Sequence, residues 1–144
     1  MDDIKPQLER FYEEVVNGGK LDLIDELLTE DFVENEPFPG LGTDRASVRR
    51  FFEMAQGSFE GLRMEIDAIY VDGNTGIVRS RMQGKHVGEF MGIPATDRKV
   101  DVPLVDIIEF NDEGLATSHW GVMDGAELMT QLGVIGDEAQ PPSA

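Results

Sequence analysis

The stretch Leu62–Val71, L-R-M-E-I-D-A-I-Y-V, is where the periodicity of the chain changes. Leu62, Met64, Ile66 and Ala68 alternate with charged neighbours, and Ile69-Tyr70-Val71 extends the run to a turn at Asp72-Gly73-Asn74. Alternation at a spacing of two predicts a strand with one apolar face. Upstream the spacing is helical. Leu8, Phe11, Tyr12, Val15 and Val16 form one apolar stripe within a helix predicted over Met1 to Gly18, which Asn17-Gly18-Gly19 stops. A shorter helix carries Leu21, Ile24, Leu27 and Leu28, and an extended segment Glu30–Glu36 ends at Pro37, Pro39 and Gly40. Thr43 or Asp44 can cap a third helix with Val48, Phe51, Phe52 and Ala55 on one side.

Downstream of the change, three more strands are predicted. Ile77–Gly84 sets Val78, Ser80 and Met82 against Arg79, Arg81 and Gln83. Val100–Phe110 and Leu115–Val122 are joined by the hairpin turn Asn111-Asp112-Glu113-Gly114. A last helix runs from Asp124 to Leu132 and stops at Gly133. Helices first and antiparallel strands after imply an α+β layer fold. The sheet must curl for three helices to bury their stripes against it, and a curled sheet leaves a cone-shaped hollow suited to a small ligand. The expectation is one domain over residues 1–136, followed by a mobile tail at 137–144.

Bulk composition excludes several function classes. Twelve Lys and Arg against 29 Asp and Glu give a net charge of −17, which repels phosphate backbones and anionic lipid. Neither a nucleic acid nor a membrane is therefore an expected partner. The chain contains no cysteine, which removes disulfides, thiolate catalysis and Cys-based metal sites. Two histidines 33 residues apart make a metal site an unpromising reading. No apolar leader opens the sequence, so a cytoplasmic location is expected.

The chemistry-bearing residues concentrate in T-S-H-W-G-V-M-D, Thr117–Asp124. Strand parity puts Thr117, His119 and Gly121 on one face and Trp120 on the other. An imidazole with an unperturbed pKa of about 6.5 can exchange a proton near neutrality. Asp106 interrupts the apolar run Val102–Ile108; it either faces a cavity or partner group, or lies on the outer sheet face. Asp124 precedes a helix and suits an N-cap. Arg79 and Arg81 share a strand face and suit ion pairs, with Asp106 or other strand carboxylates, or a substrate carboxylate. His86 stands among glycines in a segment with Phe90, Met91 and Ile93 that can cover a cavity mouth.

The order of segments resembles the SnoaL-like polyketide cyclase and ester cyclase family, within the nuclear transport factor 2-like cone fold. The resemblance rests on Arg10–Asn35, on G-K-H-V-G-E-F-M-G-I-P-A-T-D-R-K-V (Gly84–Val100), on V-D-I-I-E-F (Val105–Phe110) and on H-W-G-V-M-D-G-A-E-L-M-T-Q-L-G (His119–Gly133). It implies a cone-shaped α+β barrel whose strongly curved, mixed or antiparallel sheet wraps the N-terminal helices. It also implies cofactor-free acid/base catalysis, such as an intramolecular aldol closure, on a small hydrophobic carbonyl compound, and a homodimer formed through the exposed sheet face. In the family's cyclases the general acid/base is an aspartate two residues after the histidine matching His119; this chain has Gly121 there. A branch resembling limonene epoxide hydrolase, which activates water with an Asp–Arg–Asp set, and a non-catalytic ligand-binding cone are the alternatives. The catalytic candidates are thus His119, with Asp106 or Asp124 assisting. Asn35, Phe32, Met82, His86, Phe90 and Trp120 are the candidate substrate contacts, with packing or an interface the competing role for Trp120.

Overall fold

A computed structural model describes residues 3–135. The first helix, α1 (Lys5–Arg10), has Pro6 in its opening turn, where a missing N–H costs nothing, and continues as a π-helical segment, Phe11–Asn17. A single tight turn, Leu21–Leu23, leads into α2 (Ile24–Leu27), after which β1 (Leu28–Glu34) begins. Asp44 caps α3 (Arg45–Ser58) by accepting the Ser47 amide N–H at 3.1 Å. There follow β2 (Phe59–Asp72), β3 (Thr75–His86), β4 (Lys99–Phe110), β5 (Ala116–Met123) and α4 (Gly125–Leu132). The tail expected at 137–144 lies outside the described residues.

The five strands form one mixed sheet in the order β1-β5-β4-β3-β2. The extended segment after α2 is a true edge strand, parallel to β5, while the other pairings are antiparallel. The sheet is curved and open, with the helices on its concave side. β2 breaks register twice against β3, between Glu60 and Arg63 and between Ile66 and Ala68. Such irregularities bend a strand and increase its twist.

The core occupies the space between that concave face and the helices. Leu8, Tyr12, Val15 and Val16 of the first helical stretch are buried there, with Val78, Ser80 and Met82 of β3. On β4 the even-numbered residues Val100, Val102, Leu104, Asp106, Ile108 and Phe110 are all buried. The odd-numbered ones, including Val105 and Ile107, face outward. No helix among the described residues is long and apolar enough to cross a membrane.

Candidate active site

The helices and the concave sheet enclose a cavity of about 400 Å³. Its walls are apolar: Phe11, Phe32, Phe38, Phe51, Phe52, Phe90 and Phe110, with Leu27, Leu104, Leu128 and Met129. Against this background four polar side chains converge: Tyr12, Glu34, Asp106 and His119.

Each arrives by a different route. Tyr12 comes from the helical stripe, and its phenol O–H donates to Asp106 Oδ2 at 2.5 Å. Asp106 is carried inward by the alternation of β4 and is 6 % exposed. His119 comes from β5 and pairs with Ile108 of β4. Glu34, at the end of β1, is the register partner of His119 on the other side. The imidazole is held at both ends. Nδ1–H donates to the two Glu34 oxygens at 2.7 and 2.8 Å, and Nε2–H donates to Asp106 Oδ1 at 2.7 Å.

This arrangement sets the protonation of the ring. Burial lowers the His119 pKa, but the hydrogen bonds to Asp106 and Glu34 and the negative charges of both outweigh it and hold the value at about 10. His119 is therefore an imidazolium at neutral pH. Burial, the charge of Asp106 and the hydrogen bond to it together raise the Tyr12 pKa well above 10.0, so the phenol keeps its proton. Asp106 accepts from a cation on one oxygen and from a phenol on the other, and each oxygen retains a further lone pair.

The sequence candidates divide sharply in this structure. His119 and Asp106 meet in the cavity, with Phe32 and Phe90 in its wall. Asp124 does not join them: it is exposed and caps α4, accepting the Glu127 amide N–H at 3.0 Å. Asn35 is exposed, and its backbone and side-chain N–H groups donate to the His119 carbonyl at 2.9 and 3.2 Å, fastening the end of β1 to β5. Met82 is buried away from the cavity wall, and Trp120 faces outward beside Ile107, its register partner on β4.

His86 also departs from its expected place. It is the last residue of β3, fully buried rather than in a mouth-covering loop, and its ring packs on Phe59 with centroids 5.4 Å apart. Phe90 and Met91 of that segment do line the cavity. Arg79 and Arg81 lie on the outer face of β3 and do not meet Asp106; Arg81 pairs instead with Asp67 at 3.3 Å and Asp101 at 2.9 Å. Thr117, expected on the His119 face, sits in a one-residue irregularity of β5 and donates its hydroxyl to the Glu109 carbonyl.

Sequence reasoning missed Tyr12 and Glu34. Tyr12 is hidden by its place in an apolar stripe. Glu34 was readable, because it shares strand parity with Phe32, itself a pocket candidate. As for metals, the two carboxylates lie on opposite sides of the imidazole, and among the described residues no three His, Asp or Glu side chains could hold an ion.

Gly121 lies in the cavity wall beside these groups. It is the register partner of Asp106 and shares the inner face with His119. A Cβ at this position would lie 2.8 Å from His119 Cε1 and 2.9 Å from Asp106 Oδ1.

Comparison with known proteins gives this geometry its relatives. The family model for SnoaL-like polyketide cyclases matches residues 6–132. The structure is similar to that of TsrD from Streptomyces laurentii, with 29 % identity and a TM-score of 0.83 over 92 % of this chain and 98 % of that one. It is also similar to IdmH from Streptomyces antibioticus, at 26 % identity and a TM-score of 0.79 over 92 % of this chain and 99 % of that one. A Bacillus cereus protein assigned as a polyketide cyclase follows at 25 % identity and a TM-score of 0.78, over 92 % of this chain and 82 % of that one. No curated relative matches the sequence. On the strength of the family match and this shared architecture, the chain belongs to the SnoaL-like polyketide cyclases.

Proposed function

We propose that this protein is a cofactor-free acid/base enzyme that closes or rearranges a small, hydrophobic, uncharged carbonyl compound. The observation that carries this reading is the hydrogen-bonded chain Tyr12–Asp106–His119–Glu34 in the wall of a largely apolar cavity. An aldol-type closure needs a base for an acidic C–H and a donor for the oxyanion that forms. Asp106 is the base. When Asp106 takes the C–H proton its negative charge is lost, so the His119 Nε2–H or the Tyr12 O–H that it held can turn to the forming oxyanion. That donor gives its proton to the oxyanion and regains one from Asp106, which returns to the carboxylate. Glu34 neutralises and orients the imidazolium from behind. This inverts the simpler expectation in which His119 itself is the base, since a ring with a pKa of about 10 has no free lone pair at neutral pH.

The wall also supports the substrate class. Glu34, Glu36 and Asp106 line the cavity and no Lys or Arg does, among the described residues, so an anionic substrate would meet repulsion without a counter-ion. The same lack of an arginine speaks against water activation by an Asp–Arg–Asp set. The non-catalytic reading drew its support from Gly121, and Asp106 bonding the same ring weakens it.

The deciding experiment is a panel of neutral keto esters, with epoxides as controls, followed by mass spectrometry for wild type and Asp106→Asn. The expected loss on substitution is roughly 10²- to 10⁴-fold in turnover. Equal rates, or no turnover of any compound that binds, would sink the catalytic reading in favour of a binding protein. We also propose a homodimer through the outer sheet face, where Val105, Ile107, Trp120 and Val122 are 36–72 % exposed. Sedimentation of wild type as a monomer at working concentration would overturn that assignment.

A further inference from the structure

We infer that Gly121 is a positioning residue. The absence of a side chain there is what allows β4, rather than β5, to supply the carboxylate that bonds His119. The inference deepens the reading of Asp106 as the base, and rests on it for its catalytic meaning.

A glycine can be required by backbone conformation or by space, and these are separable here. Gly121 is absent from the residues with positive φ, so its backbone is one that any residue adopts. The requirement is space. Asp106 and Gly121 face each other across the β4–β5 pair, and His119 lies two residues before Gly121 on the same face. The volume that a side chain at 121 would occupy is therefore shared by the Asp106 carboxylate and the His119 ring.

The clash distances show what would give way. The atoms nearest a Cβ at 121 are His119 Cε1, Asp106 Oδ1 and His119 Nε2, at 2.8, 2.9 and 3.1 Å. The last two are the partners of the 2.7 Å hydrogen bond itself. All three belong to side chains, not to backbone, so an added methyl group can be accommodated by turning those groups apart. The fold would survive while the bond would not. It follows that the imidazole can be served by a carboxylate from position 106 or from position 121, but not by both at once.

The test reads the imidazole directly and needs no substrate. Side-chain nitrogen NMR of His119 is followed between pH 6 and 11 in wild type, Gly121→Ala, Asp106→Ala and the double variant Asp106→Ala/Gly121→Asp, with circular dichroism to verify folding. The expected result is that Gly121→Ala stays folded but releases its ring proton at least about one pH unit earlier than wild type, a tenfold loss of proton affinity. Asp106→Ala should behave likewise, and the double variant should recover most of the loss. A Gly121→Ala titration that matches wild type would overturn the inference. So would a double variant that titrates as low as Asp106→Ala, and this second comparison decides the matter if Gly121→Ala does not fold. Because turnover is not measured, the assignment of Asp106 as the base can fail separately, with the titrations as expected and no catalysis.

Discussion

His119 and His86 stand on inner faces of the same sheet and have opposite surroundings. The first is clamped by carboxylates on both ring nitrogens and borders the cavity. The second is fully buried beside Phe59, and its Nδ1 takes the Thr96 amide N–H at 3.3 Å with the Thr96 hydroxyl at 3.0 Å. Its Nε2, equally buried, has no hydrogen-bond partner. Phe59 contacts both His86 and Phe90, with centroids 5.4 and 4.9 Å away, and Phe90 lines the cavity. One histidine is thus part of the polar relay, while the other is a wedge behind an aromatic wall. Depth alone does not make a buried histidine chemical; the charges aimed at it do.

Substituting each ring gives the largest contrast. His119→Gln leaves Glu34 and Asp106 without the cation between them, and should cost on the order of 3 kcal/mol in urea denaturation. His86→Gln loses the ring packing on Phe59 and the Nδ1 contacts to Thr96, at about 1 kcal/mol. Equal costs would break the comparison. The next effect is on pH dependence. The His119 pKa is raised in the folded state, from 6.5 to about 10, so its contribution to stability is complete below pH 6.5 and is lost as pH rises toward 10. Thermal melts should show that alkaline decline in wild type and a shallower one in His119→Gln, whereas His86→Gln should keep the wild-type slope.

A smaller effect sharpens the picture from the helix side. Tyr12→Phe keeps the ring and removes the O–H donated to Asp106, for a loss of about 1.5–3 kcal/mol as befits a hydrogen bond to a charged group. It also removes one proton donor, so turnover should fall while binding of a neutral ligand is retained. Unchanged stability and turnover would exclude Tyr12 from the relay.

Much of this protein was legible before its structure. The change of period near Leu62, the turn at Asp72-Gly73-Asn74, and the caps Asp44 and Asp124 depend on residues a few positions apart. So does the alternation of Val78, Ser80 and Met82 against Arg79, Arg81 and Gln83. Local pattern was less informative on β4, where both faces are apolar: Val102, Leu104 and Ile108 lie on one side, and Val105 and Ile107 on the other. Periodicity could state that Asp106 shares a face with Leu104 without stating that this face is the inner one. Similarly, Ala116 and His119 both face inward despite opposite parity, because the register of β5 shifts by one residue between them.

The sequence alone determined the elements, their order and the family to which they belong, since backbone propensity, capping and side-chain alternation act over two to four residues. Only the tertiary structure decided which face of each strand is inside, and that Tyr12, Glu34, Asp106 and His119 share one relay. Tyr12 and Asp106 are 94 positions apart, and Glu34 and His119 are 85. Contacts of that range form only when the sheet curls over its helices. Their charges can then hold a proton on a buried ring, where a low effective dielectric makes ion pairs strong and bare charges costly.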